Sequence, residues 1–97
     1  MTIETFPFEP ERYFQSDAAQ QRLLTEALDS GDTLWLTHAI GIVARARGMS
    51  DVAKATGLSR QALYAAFGPN GNPTISTVMK VLAALGLGLG LALQRAG

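Results

Sequence analysis

The sequence predicts a mainly α-helical fold of five helices, two of them forming a helix-turn-helix pair, with one short β-strand at the C-terminus. Three observations carry that expectation. The stretch Met49–Phe67, MSDVAKATGLSRQALYAAF, reads as two short helices around a glycine turn. Apolar residues recur at helical spacing on both sides of it, densely in Thr33–Arg47 and again in Ile75–Leu85. The period then changes to two. Leu87, Leu89, Leu91 and Leu93 alternate with Gly88, Gly90, Ala92 and Gln94, which gives an extended segment with one leucine face.

In chain order, Met1–Ser16 contains Pro7 and Pro10, which argue against a helix there. Residues 1–16 are expected to form an extended arm. Ile3, Phe6 and Phe8 would pack on the domain, and Tyr13 and Phe14 on the start of the first helix. Whether the arm binds a partner or simply packs stays open. Asp17 is expected to cap the first helix, which runs to about Asp29, with Gln20 three residues on as in a capping box. Leu23, Leu24, Ala27 and Leu28 form its apolar face. Ser30-Gly31-Asp32 closes that helix and opens the second, Thr33 to Arg47. There Leu34, Trp35, Leu36, Ala39, Ile40, Ile42, Val43 and Ala46 cover more than one face. A helix so patterned is expected to be the largely buried spine of the domain. Trp35 reads as a core or interface residue rather than a stacking platform for a cofactor. His38 reads as a helix-surface or satisfied core residue rather than a catalytic base. Gly48 stops the helix.

The third helix is expected over about Asp51–Thr56, capped by Ser50. Ala53 is small enough to let the next helix cross closely. Gly57 ends it at a position that commonly demands positive φ, which glycine takes without steric cost. The fourth helix runs from Arg60 to Phe67 with Ser59 as its cap. Val52, Leu58 and Leu63 would anchor the pair to the core. Ala66 stands where many helix-turn-helix proteins carry a larger aliphatic, and Phe67 is expected to supply that packing. GPNGNPT, residues 68–74, is a loop. Thr74 caps the fifth helix, Ile75 to about Leu85, with Ile75, Val78, Met79, Leu82 and Leu85 at helical spacing and Gly86 as its end. The chain thus divides into an arm (1–16), a helical domain (17–86, motif 49–67) and a strand and tail (87–97). Glycine weakens a strand, and an exposed apolar edge invites pairing. The tail should therefore pair with the arm or with the same tail of a second chain. The second option is preferred, and with it a homodimer.

Composition narrows the function. The 97 residues are enough for one domain with a modest core, and 47% apolar against 16% charged is a globular balance. The absence of cysteine excludes disulfides and thiolate metal sites and is compatible with a cytoplasmic location. With His38 the lone histidine, a histidine-rich metal site is impossible. No apolar run approaches about 18 residues and the N-terminus is acidic, so neither a membrane span nor a signal peptide is expected. Nothing points to an enzyme or a cofactor. GLGLG in the tail lacks the strand–turn–helix context of a dinucleotide site. Net charge is zero, but residues 1–32 hold seven acids and two bases, whereas residues 33–97 hold six bases and one acid. Such a split favours two different partners.

The opposite surface of the motif supplies candidate DNA contacts. Ser59, Arg60, Gln61 and, one turn on, Tyr64 would face base edges if the fourth helix enters a major groove. Arginine can bind guanine O6 and N7 in bidentate fashion, and glutamine adenine N6 and N7, each worth about 1–3 kcal/mol of discrimination. Arg45, Arg47, Lys54, Lys80 and the loop residues Asn70 and Asn72 are candidate phosphate contacts. So few cations make the phosphate term small, and affinity should then depend on dimerisation. The competing reading is an αα-corner whose Arg60, Gln61 and Tyr64 form an ordinary solvated face.

The pattern IGIVARARGMSDVAKATGLSRQALYAAFGPNGNPTISTVMKVLAALGLGL resembles the addiction-module antidote proteins, HigA-like antitoxins of the Xre/Cro helix-turn-helix class. Ala44–Ser50, Gly57–Arg60, Leu63-Tyr64, Gly71-Asn72-Pro73 and Leu82–Leu87 carry the resemblance. It extends back through the acidic segment FEPERYFQSDAAQQRLLTEALDSGD. The resemblance implies a lambda-repressor-like arrangement of the helices. It also implies a paired toxin, usually a small basic RelE/HigB-type protein that cleaves messenger RNA, and repression of the shared operon by a dimer bound to double-stranded operator DNA. An acidic N-terminal region facing a basic toxin, with the basic remainder facing DNA, fits that implication. Two other functions compete: a stand-alone Xre-type repressor without a toxin, and a protein-interaction module of the same fold that no longer binds DNA.

Overall fold

Four helices start where a side chain accepts from the first unpaired N–H groups, and one follows directly on a glycine. In the computed structural model, which describes residues 15–87, this gives five helices: α1 Asp17–Ser30, α2 Thr33–Arg47, α3 Met49–Thr56, α4 Arg60–Ala66 and α5 Ile75–Ala84. Asp32 caps α2 by accepting from the N–H groups of Leu34 and Trp35, at 3.0 and 3.2 Å. Ser59 caps α4 through Ala62, and Thr74 caps α5 through Thr77, as expected.

Two expected caps differ. Ser16, not Asp17, opens α1, its Oγ accepting from the Ala19 N–H at 3.1 Å. The adjacent serine and aspartate are both good caps, so local pattern leaves the register ambiguous by one residue. Ser50 does not cap α3. That helix begins at Met49 directly after Gly48, whose carbonyl accepts from Val52, with no side-chain cap. The chain leaves α2 and enters α3 through this one glycine, so no free residue is left for a cap at Ser50.

α1 packs antiparallel on α2, and α3 lies against α2, α4 and α5. The core is Ile40, Val43 and Ala44 of α2, Met49 and Val52 of α3, Leu63 of α4 with Phe67, and Val81, Leu82 and Leu85 at α5. Leu23, Leu24, Leu58 and Val78 pack on its edge. Val52 and Leu63 anchor the α3–α4 pair as expected, and Phe67 is among the largest fully buried side chains. Gly41 is what lets Phe67 in. A Cβ there would meet the Phe67 carbonyl at 2.9 Å and its Cβ at 3.2 Å.

The expectation of a buried α2 holds only for its later turns. Leu34 and Trp35 are 53% and 40% exposed, and Leu28 at the end of α1 is 44% exposed. Five and six residues before Ile40, Trp35 and Leu34 are turned roughly 120–140° from it about the helix axis, away from the core. His38 is not a satisfied core residue either, because its Nε2 is buried without a hydrogen-bond partner.

Among the described residues there is no strand. Leu87, where the strand was expected to begin, returns its N–H to the Leu82 carbonyl at 2.8 Å and closes the end of α5. Leu89, Leu91 and Leu93, and the arm residues Ile3, Phe6, Phe8, Tyr13 and Phe14, lie outside the described residues. None of the described helices is long and apolar enough to cross a membrane.

Candidate nucleic-acid interface

α4 is seven residues long, too short to hold its shape unaided. Its position is set from three sides. Gly57 turns the chain at φ 78° and sends its N–H to the Ala53 carbonyl, ending α3. Ser59 then restarts the helix, and Leu63 with Phe67 pins one face to the core. At the other end the loop folds onto the free carbonyls of α4. Added carbons at Gly68 and Gly71 would press on the carbonyls of Tyr64, Ala65 and Ala66. Only glycine allows the backbone to pass so close.

With Leu63 and Phe67 turned inward, the outward face of α4 carries Arg60, Gln61 and Tyr64, all exposed. The Arg60 guanidinium sits over the Tyr64 ring, 6.0 Å from its centre, which restricts both side chains on the surface. Ser59 is exposed as well, but its Oγ is already the acceptor that caps α4, leaving its hydroxyl hydrogen to donate. Three sequence-assigned residues thus share one exposed face, and the fourth stands at its leading edge.

The phosphate candidates are more scattered. Lys54 is exposed on α3 and Lys80 on α5, while Asn70 and Asn72 are exposed on either side of Gly71. The Gly71 N–H itself is taken by the Gly68 carbonyl at 3.0 Å. Arg45 is half-buried, its guanidinium running past Gly41.

Arg47 has internal work. Its Nε donates to Gln20 Oε1 at 2.7 Å and its Nη1 to the Leu85 carbonyl at 3.0 Å, while Nη2 lies 3.7 Å from Asp17. One guanidinium thereby ties α1, the end of α2 and the end of α5 together. Gln20, expected to be the capping-box partner of Asp17, is instead 2% exposed and accepts from Arg47, because the cap is Ser16 and a contact 27 residues away has no local signature.

Comparison with known proteins gives the family. Residues 4–93 match the family model described as probable addiction module antidote protein. An uncharacterized protein of Haemophilus influenzae strain Rd is 40% identical over 87 residues, spanning 90% of each chain. No solved structure matches. An antidote acts, in general, on a cognate toxin. With nearly its whole length matched, the chain belongs to the family of addiction module antidote proteins.

Proposed function

We propose that this protein is a DNA-binding antidote of the HigA-like, Xre/Cro type: it neutralises a RelE/HigB-like toxin and, as a dimer, represses the operon the two share. The observation that carries the DNA half is the α4 surface. Arg60, Gln61 and Tyr64 stand exposed on a short helix whose opposite side is locked into the core by Leu63 and Phe67. A helix held this way can enter a major groove without deforming, and its arginine and glutamine can make bidentate base contacts. Lys54, Lys80, Asn70 and Asn72 serve phosphates beside it. The lambda-repressor-like arrangement of the helices is part of the same reading.

A palindromic operator needs two copies. Among the described residues, α5 offers an apolar flank for pairing: Ile75 is 69% and Met79 54% exposed, one turn apart. The toxin half rests on family membership and on the acidity of the N-terminal third.

The test is a gel shift on the DNA immediately upstream of the gene. Binding is expected to be specific and to weaken with salt, and Arg60→Ala and Gln61→Ala should each lose about 1–3 kcal/mol of base discrimination. If both variants bind that DNA as the parent does, α4 is not the reading helix. The toxin half is tested by whether the neighbouring reading frame kills cells when expressed without this chain.

A further inference from the structure

We infer that the α1–α2 corner is the surface on which this antidote takes its toxin, and that it fits a cationic protein with an apolar anchor. The inference rests on the antidote reading above and deepens it by assigning the surface.

The corner is built rather than loose. The Gly31 N–H bonds the Leu28 carbonyl, Ser30 Oγ donates to the Ala27 carbonyl and accepts from Asp32, and Asp32 caps α2. This hydrogen-bonded turn carries Leu28, Leu34 and Trp35, all at least two-fifths exposed. Large apolar side chains at one rigid turn, Trp above all, are the composition of an interface centre rather than of solvated surface. Glu26, Asp29 and Asp32 stand among them, all exposed; the sequence holds no Lys or Arg from Glu26 to Ala44, and the one base beside the corner, Arg22, lines a groove with Glu26 and Leu28, so the acids outnumber it three to one.

Charge decides between occupants. Nucleic acid and anionic lipid surfaces are repelled by these carboxylates. A second copy docked on the corner about a two-fold axis would set Asp29 and Asp32 against their own equivalents, at the cost of like-charge contacts. A cationic protein surface meets neither objection. Along α2, Trp35 lies about 20 Å from Gly48, where α3 begins, and about 9 Å from Gly41, on which Phe67 at the end of α4 packs.

The experiment titrates the full chain against the purified product of the toxin gene in its operon, at low and physiological salt. Trp35→Ala is expected to weaken binding about tenfold or more. Asp29→Lys should weaken it at low salt and flatten its salt dependence. Asp32→Asn, which keeps the cap, should act in the same direction more weakly. Asp29 and Asp32 are exposed, so their variants should keep the parental thermal unfolding, whereas Trp35→Ala, which removes a side chain about three-fifths covered, should lower it modestly. All three should keep the operator gel shift, while Arg60→Ala should weaken the shift and keep the toxin. Parental toxin affinity in both Trp35→Ala and Asp29→Lys overturns the corner and leaves the antidote reading standing. So does a loss of self-association, rather than of toxin binding, in Trp35→Ala. A parent chain that does not bind that product overturns the antidote reading and the corner with it.

Discussion

Arg47 shows what a single side chain does here. Its surface ion pair with Asp17, whose side chain is 93% exposed, contributes little. The two shorter bonds, to buried Gln20 and to the Leu85 carbonyl, matter more because removing the donor strands acceptors away from water. Arg47→Ala is expected to destabilise the protein by about 1–3 kcal/mol. Arg47→Lys should recover little of this, since an ammonium lacks the planar fork that spans both acceptors. Chemical denaturation of the three proteins checks both. His38 gives the opposite case. Its buried Nε2 has no partner, so His38→Leu should be neutral or stabilising by up to about 1 kcal/mol, an unusual result for a substitution at a partly buried position. Neither fact is legible in sequence. Arg47 was counted with the phosphate candidates because only its charge and place on α2 could be seen. Its partners are 27 and 38 residues away, and no local pattern reports a contact at that separation.

At the scale of elements, capping and turn chemistry made most of the fold readable. The ends of α2, α4 and α5 follow from Asp32, Gly48, Ser59 and Thr74, whose side chains or missing side chains act within one turn. Periodicity misplaced the first turn of α2. It shows how many faces are apolar but not whether a neighbouring element covers each one, so Leu34 was read as part of a buried spine and Trp35 as either core or interface. Close approaches of one backbone to another were likewise invisible. Gly41 looks like a flaw in α2, and alanine there should gain about 1 kcal/mol of helix propensity. The 2.9 Å encounter with the Phe67 carbonyl reverses the sign. Gly41→Ala is expected to cost a net 1–3 kcal/mol, roughly the penalty of an overpacked core, and to displace the end of α4. A fall in melting temperature, with weaker operator binding at temperatures where the variant is still folded, is the expected pair of readings.

For the molecule as a whole, α2 separates two surfaces of different character. α3 begins at its C-terminal end, the end of α4 packs on Gly41 at its middle, and the acidic apolar corner lies at its N-terminal end. If these serve DNA and toxin respectively, a toxin added to the operator complex should retard it further rather than release the DNA. Pairing of two copies through α5 makes a separate prediction. Ile75→Ser with Met79→Ser should lower the apparent mass in solution and weaken operator binding, while a single reading helix keeps its base preference. Sedimentation and gel shifts on half-site and full-site DNA distinguish this from unfolding. The α4 surface was readable beforehand because its residues are contiguous in the chain. The α1–α2 corner was not, since exposure is a property of the assembled fold.

The charge arrangement has a kinetic consequence. A protein with no net charge feels little overall pull toward a polyanion, but among the described residues Glu26, Asp29 and Asp32 gather at the N-terminal end of α2 and Arg45 and Arg47 at its C-terminal end, which gives the body a dipole along that helix. Near DNA such a body is turned more than it is drawn. The torque acts only within about a Debye length, roughly 8 Å at physiological salt, so it operates in the last moments of an encounter. If α4 reads DNA as proposed, the torque favours collisions that arrive with the corner turned outward, and fewer encounters are spent in orientations that cannot bind.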